Sequence, residues 1–241
     1  MPARSTVVVA VLGIAMGAAL AAVPGTASAA GGTLYVNGAT AANCSDTASG
    51  AGTSAQPFCG IQAAVDAARP GDTVLVASGV YKPVDIKTSG TASAPITIAR
   101  LVTTSQPSVV APVGSSGPAL VFDHVQNVVL RGLFVGTSTT ATSLVVSGSS
   151  NVTVDQSRIA GGTRSNTVLP AVSVDAHSSS FTVSRTVVDS SQNAVAIAVA
   201  SGASGTALTT DGFVYQTQPA VTACWSATPS PRAPAAPRQY H

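Results

Sequence analysis

Short runs in which apolar residues alternate with small or polar ones recur along the second half of the chain. The pairs at one position of this repeat are Leu120/Phe122, Leu144/Val146, Val172/Val174, Ile197/Val199 and Val221/Ala223. In each period a second pair and a third pair follow, first as Val128/Leu130 and Leu133/Val135. Apolar residues two positions apart indicate strands, and three strands in a period of roughly 25 residues indicate a solenoid. The pattern therefore predicts an all-β fold, a parallel β-helix with a continuous core.

Two asparagines occupy the same place in successive periods. Asn127 and Asn151 stand one period apart, and each directly precedes the second strand of its coil. Small polar residues suit tight corners, and stacked asparagines can hydrogen-bond along a solenoid. Two interpretations stay open, such a ladder or two ordinary turn residues.

The composition narrows the possible classes of protein. Charged residues make up 8% of the 241 residues, and Glu is absent, so every acidic side chain belongs to one of nine Asp. Low charge with high hydrophobicity argues against disorder. The net charge is +2, but Arg4, Arg232 and Arg238 lie in segments that we expect to be outside the fold. The remaining chain predicts no basic patch and no nucleic-acid partner.

Residues 1–29 have the features of a secretory signal. Arg4 precedes an apolar run from Val7 to Val23, and Ala27-Ser28-Ala29 is a small-residue cleavage pattern. A membrane anchor is the alternative, although the run is short for a span and is interrupted by Gly and Pro. We expect cleavage between Ala29 and Ala30, a secreted protein, and no membrane association once the signal is removed.

Residues 30–72 form a lead-in that does not repeat, with an edge strand predicted at Leu34-Tyr35-Val36. A short helix is predicted after Gly60, ending before Pro70-Gly71. Its apolar face carries Ile61, Ala64, Val65 and Ala68. Such a helix would cap the first coil, which otherwise exposes apolar columns. The coils themselves are predicted over residues 73–225.

A wider set of residues in this part carries a family resemblance. The set is Tyr35-Val36, Gly52-Thr53, Pro57-Phe58, residues 61–65, Ala68, residues 70–74, Val76 and Gly79-Val80-Tyr81. It resembles the N-terminal segment of secreted right-handed parallel β-helix proteins of the pectate-lyase-like superfamily, and the later coils resemble that superfamily's generic repeats. The resemblance implies a right-handed, single-stranded parallel β-helix solenoid with a short N-terminal capping helix. It implies no particular activity, because the segment occurs in lyases, in hydrolases and in proteins with no known reaction.

Two of the three cysteines flank a polar loop in the lead-in. In an exported protein Cys44 and Cys59 are expected to form a disulfide, with two free thiols as the alternative. The bridge would close a loop of about 15 residues and contribute on the order of 3 kcal/mol to stability.

The chemistry of β-helix enzymes requires charged clusters. Lyases of the resembled superfamily use a Lys or Arg base beside acidic Ca²⁺ ligands or beside an arginine that holds the uronate, and hydrolases need two or three Asp on neighbouring coils. Asp123 and Asp175 share a column here, but Ser147 lies between them, at a spacing too wide for one shared calcium. No metal site and no cofactor is predicted, and Ca²⁺ would enter only if a longer parent protein were a lyase.

The other charged residues have plain structural interpretations. Asp155 follows Arg131 by one period of the repeat, which predicts a surface ion pair one coil apart. Lys82 and Lys87 are predicted to lie in early coils with no acidic cluster nearby. His124 and His177 are predicted to be lone turn residues. No catalytic residue is identified.

One inserted loop and the C-terminal segment lie outside the regular repeat. The coil after Ile159 carries about four extra residues, and its loop with Arg164, Ser165 and Asn166 is a possible ligand loop. Residues 226–241 are rich in Pro and Ala and are predicted to be a disordered tail. Cys224 and the break in the pattern favour a truncated or frame-shifted form over a natural tail. An uncapped C-terminal coil would then favour self-association.

Together these features predict a secreted β-helix protein whose partner is an extracellular polysaccharide. It would be a polysaccharide-binding protein or a fragment of a polysaccharide-lyase-like protein, with this chain itself expected to be inactive. The alternative is a non-catalytic extracellular solenoid used for adhesion or structure.

Overall fold

A computed structural model describes residues 31–39, 42–101, 108–111, 117–137, 141–161, 169–189 and 196–209. The predicted signal with Ala29 and Ala30, the loop with Arg164, Ser165 and Asn166, and the C-terminal segment lie outside these residues. The elements in chain order are β1 (Thr33–Val36), α1 (Ile61–Ala67), β2 (Thr73–Val76), β3 (Val80–Tyr81), β4 (Val84–Ile86), β5 (Ile96–Arg100), β6 (Ser108–Ala111), β7 (Leu120–Asp123), β8 (Gln126–Arg131), β9 (Phe134–Thr137), β10 (Leu144–Ser147), β11 (Ser150–Asp155), β12 (Arg158–Ala160), β13 (Val172–Val174), β14 (Ser179–Ser184), β15 (Val187–Asp189), β16 (Ile197–Val199) and β17 (Ala207–Thr209).

The strands form three parallel sheets, and the chain visits the sheets in rotation. Sheet A has the order β1-β2-β5-β8-β11-β14-β17, sheet B the order β3-β6-β9-β12-β15, and sheet C the order β4-β7-β10-β13-β16. From β2 onward each sheet therefore takes every third strand of the chain. This topology confirms the predicted parallel β-solenoid.

The register of the sheets agrees with the apolar periodicity. Leu144 pairs with Leu120 and Val172 in sheet C. In sheet A, Val152 pairs with Val128 and with Phe181. Because strand side chains alternate between the two faces, these residues form inward columns. All of them are fully buried or nearly so. Stacked coils can bury apolar side chains that one coil would leave exposed.

The lead-in packs against the first coil of the solenoid. Helix α1 follows Gly60 as its N-cap and packs against β1, β2 and β4, with Ile61, Ala64 and Val65 buried. Cys44 and Cys59 form the predicted disulfide, with their Cα atoms 4.9 Å apart. No helix in the described part of the chain is long and apolar enough to span a bilayer.

Sharp corners separate the strands, and side chains stack there too. Asn127, Asn151 and Ser180 have φ values of 54°, 52° and 52°, in the left-handed region that Asn tolerates better than most residues. The Asn151 amide donates to Asn127 Oδ1 at 2.5 Å, so the asparagine ladder is present. A side chain also connects successive coils at another corner. There the hydroxyl of buried Ser157 accepts a hydrogen bond from the backbone N–H of Leu133 at 3.3 Å.

Candidate basic site at the corner of sheets A and B

Four arginines gather where the chain passes from sheet A to sheet B. Arg100 and Arg131 end β5 and β8, Arg158 begins β12, and Arg185 directly follows β14. Successive coils therefore each contribute one arginine to this corner. The net charge, from which the absence of a basic patch was predicted, does not report how charges are distributed, and three of these arginines pair with Asp155 or Asp189. We call these four residues the basic seam.

Asp155 holds two arginines of the seam in place. It pairs with Arg131 in the sheet register, and Arg131 Nε lies 3.1 Å from Asp155 Oδ2. Arg185 donates through Nε to Oδ1 at 2.8 Å and through Nη2 to Oδ2. The Ser184 hydroxyl adds a hydrogen bond of 2.8 Å. The carboxylate thus accepts from two guanidinium groups and one hydroxyl.

The burial of Asp155 corrects the predicted surface ion pair. Its position on β11 points outward, yet only 2% of the residue is exposed, because neighbouring side chains cover it. Burial by itself raises the pKa of Asp155, but hydrogen bonds and charges from Arg185, Ser184 and Arg131 outweigh it, so the pKa lies below the ordinary value. Asp155 therefore stays ionised and anchors the guanidinium groups.

The arginines themselves remain accessible. Arg131, Arg158 and Arg185 each keep 52% of the side chain exposed. Guanidinium groups with a fixed orientation can bind carboxylate or sulfate groups through paired hydrogen bonds. The site therefore combines a buried anchor with exposed donors.

An aromatic ring lies beside the seam on the outer face of sheet B. The guanidinium carbon of Arg158 stands 5.5 Å from the centre of the Phe134 ring, and Arg158 Nη2 lies 3.2 Å from Asp189 Oδ2. A Cβ atom at Gly136 would lie 3.0 Å from the Phe134 ring, so the glycine leaves room for it. Phe134 thus offers a half-buried apolar surface next to the charged groups.

A second polar cluster lies on the outer face of sheet C. Lys87 Nζ lies 2.7 Å from Asp85 Oδ2 and 3.8 Å from Asp123 Oδ2, so the prediction that no acidic cluster lies near Lys87 is wrong. His124 is not a lone turn residue either, because its Nδ1 lies 2.6 Å from Asp123 Oδ1. Asp85 and Lys87 stand two apart on the same outward face, a signal that the sequence contained.

Asp175 belongs to the same column and has a structural role. The predicted column of Asp123, Ser147 and Asp175 is present, and Ser147 Oγ donates to Asp175 at 3.0 Å. Burial raises the pKa of Asp175, while hydrogen bonds from Ser178, Ser147 and two backbone N–H groups lower it, and the net pKa is below the ordinary value. Within the residues that the structure describes, no group of three or more His, Cys, Asp or Glu side chains is placed to hold a metal ion.

The seam as a whole escaped prediction, although its spacing is visible. Arg100, Arg131, Arg158 and Arg185 follow one another along the chain at intervals close to the period of the solenoid. Their positions around the corner differ by up to three residues, so only a folded register shows that they meet. The recurrence of arginine near the coil period is the signal in the sequence, and it indicates which coils carry an arginine.

Three solved structures resemble this fold. A GH136 lacto-N-biosidase from Eubacterium ramulus matches with a TM-score of 0.54 and 12% identity over 76% of this chain and 41% of that one. An alginate lyase from Paenibacillus sp. str. FPU-7 matches with a TM-score of 0.46 and 20% identity over 61% of each chain. A rhamnogalacturonan lyase matches with a TM-score of 0.44 and 12% identity over 74% of this chain and 63% of that one.

The three sheets define a parallel β-helix, and the likeness to the GH136 structure agrees with this class of fold. The chain spans less than two thirds of the length of each of these structures. At such low identity they say nothing about the reaction. No family model matches the sequence. No curated protein matches it either.

Proposed function

We propose that this protein is a secreted β-helix that binds an acidic polysaccharide, with the basic seam as its binding site. The observation that carries the proposal is the placement of one arginine on each of four successive coils at the corner between sheets A and B. The likeness to solved structures contributes the fold to the proposal and nothing more.

The chemistry of the seam suits a repeating anion. Neighbouring strands lie about 4.8 Å apart, so arginines on successive coils form a staggered group of positive charges, offset by up to three residues along the strands. An extended glycan with carboxylate or sulfate groups can meet several of them at once, whereas a small anion meets one or two. Phe134 can pack against the apolar face of a sugar ring beside Arg158.

The described coils favour binding over bond cleavage. Asp155 and Asp175 are both committed to hydrogen bonds and stay ionised. The hydrogen bond and charge of Asp85 raise the pKa of Lys87, whereas a lysine acting as a general base needs a lowered pKa. We therefore propose a binding protein, and the assay below also tests this chain for lyase activity.

The test compares two variants that each lose one positive charge. Arg158→Gln removes a seam arginine whose partner Asp189 is partly exposed, and Lys82→Gln removes an exposed lysine between β3 and β4, away from the seam. We expect polygalacturonate or alginate to bind the parent protein, and Arg158→Gln to weaken binding about five- to tenfold, the loss of one charge-assisted contact. Lys82→Gln is expected to bind like the parent.

Further arms of the experiment identify what the protein recognises. Uncharged dextran should not bind, and binding should weaken as salt rises. Formation of unsaturated sugars, followed with and without calcium, would reveal lyase chemistry. Equal losses in the two variants, or equal binding of dextran, would contradict the proposed site.

A column of hydroxyl groups favours a second candidate function, a non-catalytic adhesive or structural solenoid. Thr33, Thr73, Thr97, Thr153 and Thr182 share one outward column of sheet A, which only Val129 interrupts among them. A flat row of hydroxyls can contact an extended surface without any charged group. Salt-independent retention on an uncharged polymer, unchanged in Arg158→Gln, would support this function instead.

A further inference from the structure

The outer edge of β1 is covered by the loop that the disulfide closes. The Tyr35 N–H donates to the Gly52 carbonyl at 2.8 Å, and the Tyr35 carbonyl accepts from the Phe58 N–H at 2.8 Å. The Asn37 N–H donates to the Phe58 carbonyl at 2.9 Å. The other edge of β1 pairs with β2. Residues 52–58 thus take the place of a further strand at the end of sheet A.

The loop is fastened at both of its ends. Cys44 and Cys59 are joined covalently, and Asp46 Oδ1 accepts from the backbone N–H groups of Cys59 and Gly60 at 2.7 Å and 3.1 Å. Phe58 is buried in the core. Both cysteine residues keep part of their surface exposed.

Without the loop, β1 would be an unprotected edge. Proteins usually protect such edges with lysine, proline or a bulge, because unpaired backbone groups accept foreign strands. The β1 sequence Thr-Leu-Tyr-Val has none of these, and residues 47–58 carry no charged side chain. Nothing on the edge itself would repel a second uncharged strand.

We propose that the Cys44–Cys59 loop is a redox-controlled cover, and that reducing the disulfide lets β1 pair with β1 of a second copy of this chain. The same edge on both copies can meet about a two-fold axis, as an antiparallel pair that closes a dimer. A dithiol supplies the two electrons and two protons. The S–S bond breaks, Cys44 and Cys59 become thiols, and the dithiol closes to its own disulfide.

The first test uses the full oxidised chain with and without dithiothreitol. Because the bridge restricts the open loop, reduction should raise amide exchange at Tyr35, Asn37 and Phe58 about 100-fold. Sedimentation should show a dimer that forms on reduction and is lost on reoxidation. If amide exchange does not change on reduction, the loop is not a redox-controlled cover. If sedimentation does not change, β1 does not pair with a second copy. Loss of the β-sheet circular dichroism spectrum would show instead that the disulfide holds the whole fold.

The second test identifies the surface that associates. In Cys44→Ser/Cys59→Ser protein, adding Thr33→Lys should restore the monomer, because a lysine on β1 opposes strand addition. The matched control is Thr153→Lys, which places the same charge in the same outward column on the interior strand β11 and should leave the dimer intact. A dimer that survives Thr33→Lys, or that Thr153→Lys also abolishes, overturns the proposed pairing. If the double-cysteine variant does not fold, the same two lysine variants are compared in reduced protein with native cysteines.

Discussion

Replacing Asp155 with asparagine tests whether a buried carboxylate organises the basic seam. The substitution keeps the shape of the side chain but removes its charge. Losing one member of a buried ion pair costs about 3–5 kcal/mol of stability. The two arginines here keep 52% of their side chains exposed, so water can solvate them and reduce that cost. We therefore expect Asp155→Asn to lower the free energy of unfolding by about 2–3 kcal/mol.

The stability lost in Asp155→Asn should also depend on pH. Asp155 has a folded pKa below its unfolded value, which is about 3.9. Its stabilisation is then fully present above the unfolded pKa and is lost as pH falls through the folded pKa. The difference in unfolding free energy between the parent and Asp155→Asn should be constant near neutral pH and should shrink below about pH 4.

Urea unfolding of both proteins between neutral and acidic pH measures this difference. The matched control is Asp189→Asn, which breaks the more exposed pair with Arg158 and should cost less than about 1 kcal/mol. Equal losses for the two variants, or a difference that stays constant into acid, would refute the assignment of Asp155 as a buried charged anchor.

Substitutions at three further positions test the loop and the corners, each followed by urea unfolding. Gly52→Ala should cost at least about 2 kcal/mol, because Gly52 has a φ of 91° and a Cβ would lie 2.5 Å from the Phe58 ring; a neutral effect would contradict the loop conformation. Asn151→Ala should cost about 1 kcal/mol, because it removes the ladder hydrogen bond and the residue best suited to a φ of 52°. Asn151→Gly should recover part of that loss, because glycine tolerates this φ. Equal losses for the two variants would contradict the backbone explanation. Ser157→Ala should cost about 1–3 kcal/mol because it leaves the buried Leu133 N–H unpaired, while Ser157→Thr, which retains the hydroxyl, should cost less; the reverse order would contradict the hydroxyl's role.

The fold could be predicted because its information is local and periodic. Leu120 and Phe122 stand two apart, and the same pair returns one coil later as Leu144 and Val146, so the sequence itself contains the register seen in sheet C. A shift of one residue would turn every one of these side chains to the solvent. The inward columns therefore fix both the strands and their pairing.

The site was less predictable because it depends on side chains that meet across corners. The spacing of Arg131 and Asp155 gave their pairing, but the burial of Asp155 comes from Ser184 and Arg185 in the next coil. Outward positions follow no apolar rule, so a buried outward carboxylate has no periodic signal. Only the three-dimensional register shows which polar groups cover it.

If the proposed glycan binds the seam, stability and binding are coupled there, and Asp155→Asn separates the effect of net charge from the effect of arginine orientation. Asp155→Asn makes the seam more positive, so a description based on net charge predicts tighter binding of an acidic glycan. The gain in binding free energy from removing the Asp155 charge is small. Two charges about 4 Å apart in water interact by about 1 kcal/mol, and a glycan at the surface would lie farther than that from buried Asp155. The loss in binding free energy is larger, because Asp155 no longer orients Arg131 and Arg185. Ordering each of these side chains on binding costs about 0.5–1.5 kcal/mol.

We therefore expect Asp155→Asn to bind polygalacturonate about fivefold more weakly than the parent, despite its additional positive charge. Titration calorimetry under conditions in which both proteins are folded measures the affinity and the entropy of binding. The weaker affinity should come with a less favourable entropy, since the guanidinium groups are ordered only when the glycan arrives. Tighter binding by Asp155→Asn would show that net charge, and not the orientation of the arginines, controls the seam.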